Sequence, residues 1–591
     1  MATEPNVTSF QQTPRQRIAP TRLWALLRPY WFSDDRWAGR GLLALVIGLN
    51  LAGVFLTVLL AYWNRQFFDA LQVKDYPTFL RLLGWFALLA AGYIVVAVFA
   101  LYFNQMLQIR WRRWLTDQYC RDWLTGRAYY LLQLEPSHVE NPEQRIQDDI
   151  GLVANLSLDL LTGMLNAIVT LASFLVMLWT LSGMLSLHLA GFTLGIPGYM
   201  VWVALVYASL GSIGTHLVGR ALIGINYDLE RANADFRFRM IRIREYAESV
   251  ALYGGEADEE AQLKTSFGHI WRTWWRLMTT QMRLTFFTAG YGQAAVVFPI
   301  LVAAPRYFSG AIPLGGLTQP ALAFGQVQSA LSWFVDAYPR IAQWSASVNR
   351  LTGFSEALAR AKRLPTTTEA LQVRSTPGPV LTVEGLNLRL PDRRSLLDAV
   401  SVRIDAGERV LVSGPSGSGK STLFRALAGI WPYGTGTVEI PEGRRVLFLP
   451  QRPYLPIASL REVLSYPDRP DGHSDAALRQ ALTDARLPHL IGRLDEEANW
   501  SLELSGGEQQ RIGFARVFLS RPDWLFMDEA TSALDEETEQ VLYALVQERL
   551  PGITLISVAH RAVVARFHRR RLMLHPETRS IEDSPVLAAA R

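Results

Sequence analysis

Three short stretches of this sequence have the residue types and spacing to handle a chain of phosphates. Gly414, Pro415, Ser416, Gly417, Ser418, Gly419, Lys420, Ser421 and Thr422 follow a strand-like run, ERVLVS, and precede a helix-like one, TLFRALAG. Glycines in this pattern let backbone N–H groups curl round phosphate oxygens at a helix N-terminus. Lys420 then reaches the β- and γ-phosphates, and the Ser421 hydroxyl is placed to ligate Mg²⁺. Trp524 to Glu529, WLFMDE, reads as an apolar strand ending in two carboxylates. Asp528 would hold the metal through water, and Glu529 would polarise an attacking water as general base. Leu504 to Arg511, LSGGEQQR, is a second glycine-rich helix start. It is suited to clamping a γ-phosphate with Ser505 and the backbone N–H groups at Gly506 and Gly507.

The elements that must position these residues follow from the texture of the chain. From about residue 379, short β-rich runs (VLTVEGLNLRL, RVLVSG, RVLFLP, WLFMD, TLISVAH) alternate with helical segments, which reads as an α/β nucleotide-binding fold. The first half is different. Residues 41–63 contain no charge, and about 20 such residues at 1.5 Å each cross a hydrocarbon core of about 30 Å. Further spans are expected near 82–103, 160–182, 189–211 (broken by Gly195, Pro197 and Gly198), 284–304 (carrying Pro299) and 318–342. Forty polar-rich residues precede the first span, so it is not read as a signal peptide. Arginines crowd the N-terminus, the loop after the second span (Arg110, Arg112, Arg113) and the loop after the fourth (Arg237, Arg239, Arg242, Arg244). These segments and the C-terminal half are therefore cytoplasmic, and the two loops read as long helical extensions. The resulting division is a cytoplasmic N-terminal segment with an elbow helix (1–40), a membrane domain (41–354), a linker (355–378), a nucleotide-binding domain (379–575) and a tail (576–591).

Composition narrows the class. Of 591 residues, 50% are hydrophobic and 19% charged, against about 25% charged in an average soluble domain. The net charge of +5 rests on arginine, since Lys74, Lys264, Lys362 and Lys420 are the only lysines, and it is too mild to imply nucleic-acid binding. Cys120, the single cysteine, excludes an internal disulfide, a CxxC redox pair and a cysteine-based zinc site.

LSGGEQQR resembles the signature motif of ABC ATPases. The resemblance extends in order to Gln451 in FLPQRPYLP (the Q-loop), Ser532 to Asp535, SALD (the D-loop), and His560 in SVAHR (the switch histidine). It implies that Gln451, Glu529 and His560 take part in catalysis, that Ser421, Gln451 and Asp528 hold Mg²⁺, and that Ser505, Gly506, Gly507 and Asp535 complete the ATP site of a partner chain. Six spans and one ATPase domain look like a half-transporter, so the resemblance implies a homodimer with two ATP sites, an exporter-like, domain-swapped six-span membrane domain fused to the P-loop ATPase, and a bilayer around it. The family commonly stacks adenine on an aromatic where this chain offers Leu390, so the base either binds less tightly here or stacks elsewhere.

FRALAGIWPYGTG, ATSALDEETE and the Asn141 to Ile150 stretch, NPEQRIQDDI, resemble the peroxisomal fatty-acyl ABC half-transporters and their bacterial YddA-like relatives. AFGQVQSALSWFVDAYPRIAQW resembles the sixth helix of the SbmA/BacA peptide transporters. The resemblance implies that residues 141–150 and Glu230 to Glu256 dock the membrane half on the ATPase. Ser329, Ser332, Asp336, Arg340 and Gln343 recur at steps of three and four, so one helix face of the sixth span carries a polar stripe. Such a stripe either lines a hydrophilic path or is merely an Asp336–Arg340 ion pair one turn apart. The resemblance thus implies an ATP-driven transporter of the bacterial inner membrane, and import of peptides or other hydrophilic, cobalamin-like cargo is what the resemblance alone implies. Export or acyl-CoA-type cargo, and an ATPase that gates a channel without pumping, are the rivals.

Overall fold

The structure, a computed structural model, describes residues 20–135, 141–182, 184–189, 192–366 and 371–586. Residues 1–19 of the expected N-terminal segment, 367–370 of the expected linker and 587–591 of the expected tail lie outside them.

Helices come first: α1 (Pro20–Leu27), α2 (Arg36–Val73), α3 (Tyr76–Leu124), α4 (Ala128–Leu134), α5 (Pro142–Gln144), α6 (Ile150–Ser182), α7 (Tyr199–Glu245), α8 (Ala247–Tyr253), α9 (Glu256–Phe308), α10 (Leu314–Asp336) and α11 (Tyr338–Arg363). An antiparallel pair, β1 (Met184–Leu189) and β2 (Phe192–Pro197), stands between α6 and α7. The chain divides into two compact units, one of residues up to 121 with 141–355, the other of 122–135 with 356–586.

In the first unit, α2, α3, α6, α7 and α9 lie within the five helical stretches that are long and apolar enough to cross a membrane among the described residues. Helix α9, with 53 residues, is about 80 Å long, so it must run far beyond a hydrocarbon core of about 30 Å. The dense charge after the second and fourth spans predicts such extensions. The fourth expected span, 189–211, is corrected: the chain is extended up to Pro197, and helix α7 starts only at Tyr199, after Gly198 at φ 64°. The expected sixth span, 318–342, covers α10 and the start of α11: Pro339 has no N–H for the carbonyl one turn back, but Ala337 stays helical at φ −72°, and the Ala337 and Ile341 N–H groups donate one turn back to Trp333 and Ala337 at 2.8 Å each, so the helical path continues. At 23 residues α10 is long enough to span, yet it carries Gln319, Gln326, Gln328 and Asp336 and is not among the five.

The cytoplasmic end of α6 is fixed by one carboxylate. Asp149 is 2% exposed and closes a π-turn, Arg145–Asp149; it accepts from Arg145 at 3.0 Å and from Arg350 Nε of α11 at 2.9 and 3.1 Å.

The second unit is built on strands. A four-stranded sheet runs in the order β3-β7-β4-β5, with β3 (Gln372–Thr376), β4 (Val380–Arg389), β5 (Ser395–Asp405) and β7 (Gly434–Pro441). A six-stranded sheet runs β14-β13-β6-β12-β11-β8, with β6 (Arg409–Ser413), β8 (Val446–Leu449), β11 (Trp524–Asp528), β12 (Thr554–Val558), β13 (Arg570–His575) and β14 (Ser580–Pro585). Its five inner pairings are parallel except β13 with β14. Parallel strands are covered on both faces, which is why WLFMD and TLISV are almost unbroken apolar runs with nearly every side chain buried. Helices α12 (Lys420–Leu427), α16 (Gly506–Ser520) and α17 (Glu536–Arg549) connect these strands; α13 (Leu460–Ser465), α14 (Asp475–Asp484), α15 (Trp500–Glu503), α18 (Ala562–Ala565) and the short pair β9 (Ala458–Ser459) with β10 (Glu497–Ala498) complete the unit.

Two expected borders look different in three dimensions. The stretch expected as a linker is helical to Arg363 and forms β3 from Gln372, while part of the expected tail is β14, paired with β13. Residues 122–135 pack within this second unit: Arg127 donates to the carbonyl of Gly429 (3.2 Å), and the Tyr433 hydroxyl donates to the carbonyl of Leu134 (3.1 Å). Residues 141–150, expected to dock on the ATPase, belong to the first unit.

Candidate functional site

The loop from Gly414 to Gly419 leaves the end of β6 and enters α12, so its N–H groups collect at a helix N-terminus. Gly414 has φ 151°, and a Cβ there would meet the Leu574 carbonyl and the Ser418 hydroxyl at 2.9 Å; only glycine fits. Lys420 is 6% exposed and folds over the loop, its Nζ donating to the carbonyls of Gly414 and Pro415 at 3.0 Å each. Burial lowers its pKa, with Glu529 and Asp528 opposing, so the ammonium is poorly solvated and lies in the field of the two carboxylates. The Ser418 hydroxyl is buried without a partner, an orphan inside the loop.

Ser421 donates to Asp528 Oδ1 at 3.1 Å, joining the start of α12 to the end of β11. Burial, reinforced by the neighbouring Glu529, raises the pKa of Asp528. A hydroxyl beside a half-buried carboxylate, both oxygen donors, suits a hard divalent cation that keeps most of its other ligands as water and phosphate. No cluster of three His, Cys, Asp or Glu side chains that would favour a softer metal occurs among the described residues.

Glu529 is the first residue beyond β11 and sits at φ 49°, a conformation that costs a non-glycine residue energy and turns its carboxylate out of the strand line. Its N–H donates to the Val558 carbonyl at the end of β12. His560 Nε2 is 3.0 Å from one carboxylate oxygen, and Gln451 Nε2 donates to the other at 3.3 Å. Gln451 also reaches Ser532 Oγ at 3.4 Å. The three residues expected to be catalytic therefore meet at one carboxylate.

Gln510, in the middle of the glycine-rich motif, ties that motif to the site: its amide donates to the Gln451 carbonyl (3.0 Å) and Ser532 Oγ (3.1 Å), and its oxygen accepts from Ala533 N–H (2.9 Å). The sequence reading passed over Gln510, although it stands inside LSGGEQQR, because an exposed helix position and a buried one look alike in a short motif. Ser505 caps α16 in a reciprocal box with Glu508, whose oxygen accepts from Ser505 N–H (3.0 Å) and hydroxyl (2.8 Å); His489 lies 3.0 Å from the other oxygen. Gly506 and Gly507 form the first turn of that helix. Asp535 caps α17, both of its oxygens accepting from Thr538 at 2.8 Å. Leu390 packs against the apolar core between the sheets.

The membrane unit holds a cavity of about 420 Å³ between α2, α3, α6 and α10. Its amides and hydroxyls come from Asn50, Thr57, Tyr93, Asn104, Thr162, Asn166, Thr170 and Gln326, set among apolar residues such as Val54 and Val96. The polar stripe is placed elsewhere: Ser329, Ser332 and Asp336 do not line this cavity, and Arg340 and Gln343 fall on α11. Ser329 and Asp336 are exposed in the single chain, Ser332 is half-buried, and no ion pair joins Asp336 to Arg340 among the described residues.

With this geometry in place, the comparisons with known proteins are decisive. The family described as ABC transporter transmembrane region 2 matches residues 26–308, and the ABC transporter family matches residues 397–532. The inner membrane ABC transporter ATP-binding protein YddA of Escherichia coli is 32% identical over 92% of this chain and 96% of its own length. The chain belongs to the ABC transporter family. It is similar also to the mouse lysosomal cobalamin transporter ABCD4, with 29% identity over 86% of this chain and 87% of that one. Its fold matches a bacterial Atm1-family ABC exporter with ATP bound, at a TM-score of 0.68 over 92% of this chain and 95% of that one, with 19% identity.

This ABC transporter is thus a helical membrane domain fused to a P-loop ATPase domain that binds ATP and couples its hydrolysis to transport. It is a multi-pass protein of the inner membrane with its ATPase domain in the cytoplasm, and half-transporters of this kind work as dimers.

Proposed function

We propose that this ABC transporter works as a homodimer in a bacterial inner membrane and uses ATP to import hydrophilic molecules or peptides. The observation that carries the cargo class is the cavity of about 420 Å³ in the membrane unit, whose lining of amides and hydroxyls would suit a free acyl chain poorly and a hydrated, hydrogen-bonding cargo well. Similarity to a cobalamin transporter supports the same class.

The chemistry assigned to the ATPase site follows from the contacts described. The N–H groups of Ser416 to Thr422 cradle the phosphates, Gly414 and Pro415 shape the turn that presents them, and Lys420 turns from its loop carbonyls to the γ-phosphate. Ser421, Asp528 and the side-chain oxygen of Gln451 would hold Mg²⁺, which when bound would supply positive charge against the phosphates. Glu529 accepts the proton of the attacking water, with His560 and Gln451 holding its two oxygens in place. Ser505, Gly506, Gly507 and Asp535 serve the ATP held by the partner subunit, which makes two ATP sites per homodimer.

Uptake of labelled cobalamin and of a labelled cationic peptide into cells making the parent chain or Glu529→Gln tests this reading. Uptake of either that disappears in Glu529→Gln is the expected result. Uptake that persists without Glu529 would favour a gate; entry of neither, together with ATP-dependent accumulation in inside-out vesicles, would favour export. Export is the second reading because the fold is that of an exporter.

A further inference from the structure

The serine of the glycine-rich motif LSGGEQQR is already engaged within its own helix. Its hydroxyl donates to Glu508 Oε2 at 2.8 Å, and its N–H donates to the same oxygen at 3.0 Å. The carboxylate therefore stands at the start of α16, where the γ-phosphate of the partner subunit's ATP arrives in the proposed homodimer. Like charges a few ångströms apart repel, and more strongly as a closing interface sheds its water. A phosphate-binding helix start that carries its own anion needs something to offset it.

One side chain does so. His489 Nε2 lies 3.0 Å from Glu508 Oε1, and His489 is the only basic side chain within ion-pair distance of that carboxylate among the described residues. An ionised carboxylate only accepts, so the ring nitrogen facing it is the donor. Burial works against the charge of Glu508, but the bonds from Ser505 and His489 outweigh it and hold the carboxyl below the usual glutamate range. The backbone that presents His489 is firmly held. It belongs to the short turn Pro488–Arg493, with Leu487 and Leu490 on either side buried in the core, and Arg511, one turn along α16 from Glu508, donates to the Arg486 carbonyl at 2.8 Å. The imidazole itself is more than half exposed, so it contributes little to that core.

We propose that His489 is a positioning residue for the glycine-rich motif: through Glu508 it holds the Ser505 end of α16 in place and offsets the carboxylate's charge, so that this helix start accepts a γ-phosphate. The contacts run from His489 Nε2 to Glu508 Oε1, and from Glu508 Oε2 to Ser505 Oγ. His489 does not touch the nucleotide in this arrangement and acts on it only through the carboxylate. The inference rests on the proposed homodimer, in which Ser505 serves the ATP of the partner subunit, and adds to it a residue from outside the motif.

The full-length chain in nanodiscs is assayed for ATP hydrolysis over a range of ATP concentrations and, separately, for binding of fluorescent ADP, which has no γ-phosphate. His489→Leu is expected to lower kcat/KM for ATP about three- to fivefold and to leave ADP binding within about twofold of the parent chain. His489→Arg, which keeps a donor and a charge, should retain most of the activity. In a Glu508→Gln background, where no charge is left to offset, adding His489→Leu should change kcat/KM by less than about 1.5-fold. A loss of the same size in both backgrounds overturns the proposal, because it would come from the turn and not from Glu508. Parental kcat/KM in His489→Leu, or equal losses for ATP and ADP, overturn it too. Should Glu508→Gln not assemble, His489→Arg decides: a loss as large as that of His489→Leu overturns the proposal. Ser505→Arg is measured alongside. An inactive Ser505→Arg chain with a parental His489→Leu removes only the role of His489, whereas a fully active Ser505→Arg chain removes the reading of Ser505 as serving the partner's ATP, and the proposal with it.

Discussion

At the scale of single residues, Glu529 carries the heaviest demand, because its backbone is held at φ 49° and both carboxylate oxygens are engaged. Replacing it with Gln keeps the size and the backbone strain but removes the proton acceptor. Glu529→Gln is expected to slow steady-state ATP hydrolysis by about 10²- to 10⁴-fold while equilibrium binding of a nucleotide analogue stays within a few fold, and a binding loss as large as the rate loss would sink the assignment. A second residue governs how the ATPase unit responds to acid. His568 is buried, its Nδ1 at 2.9 Å from the Val564 carbonyl and its Nε2 at 3.0 Å from Ser557 Oγ, a fit for the neutral ring with the proton on Nδ1. Burial pushes its pKa down to about 4, against about 6.5 for an unfolded histidine. The unfolded chain therefore takes up the proton first, so this contribution to stability is complete above about pH 6.5 and falls away as pH drops towards 4. Thermal unfolding between pH 7.5 and 5 should show a steeper loss in the parent chain than in His568→Gln; parallel curves would assign the acid sensitivity to other groups. The phosphate loop, Asp528, Glu529 and the signature helix were legible from sequence because each requires particular residues at fixed spacing on one strand or helix start. Gln510 was not, since its importance comes from partners distant in the chain.

At the scale of elements, the places where the sequence reading failed share a cause. Periodicity finds apolar stretches but does not locate helix ends, and the start of α7 is decided by a single backbone feature, Gly198. Pro339 removes one hydrogen bond from the sixth span, yet the helical path runs on through Ala337, so its polar residues stay at helical spacing. Segment 122–135 packs in the ATPase unit, which no local pattern announces because its partners, Gly429 and Tyr433, lie about 300 residues on. Segment 141–150, expected to dock the membrane half, lies in the membrane unit and supplies Asp149, the link between α6 and α11. Removing a buried charge partner is expensive, so Asp149→Asn is expected to lower the stability of the membrane unit by about 3 kcal/mol. The double change Asp149→Leu with Arg350→Met, which leaves only Arg145 without its partner, should recover part of that loss; denaturation in detergent measures both, and an additive double variant would argue against a shared ion pair.

At the scale of the whole molecule, the homodimer reading makes a quantitative claim. Each ATP site would take its phosphate loop from one subunit and its signature helix from the other. Lys420→Ala and Ser505→Arg chains should each be inactive alone, yet a mixed dimer holds one site in which both halves are intact. Refolded or co-expressed as an equal mixture, they should regain about a quarter of the parental ATPase activity, since half of the dimers are mixed and each has one of two sites working. An inactive mixture would mean that the two motifs act within one chain, or that a single site does not turn over. The lysine content adds a practical consequence. Amine-directed chemistry has only four side chains to find in this protein: Lys74 and Lys264 are exposed, Lys362 is paired with Asp122, and Lys420 is shut in the phosphate loop. Acylation mass spectrometry would therefore give a nearly background-free report on one side chain. The extent of labelling at Lys420, counted against Lys74 in the same sample, is a built-in gauge of how often that loop opens.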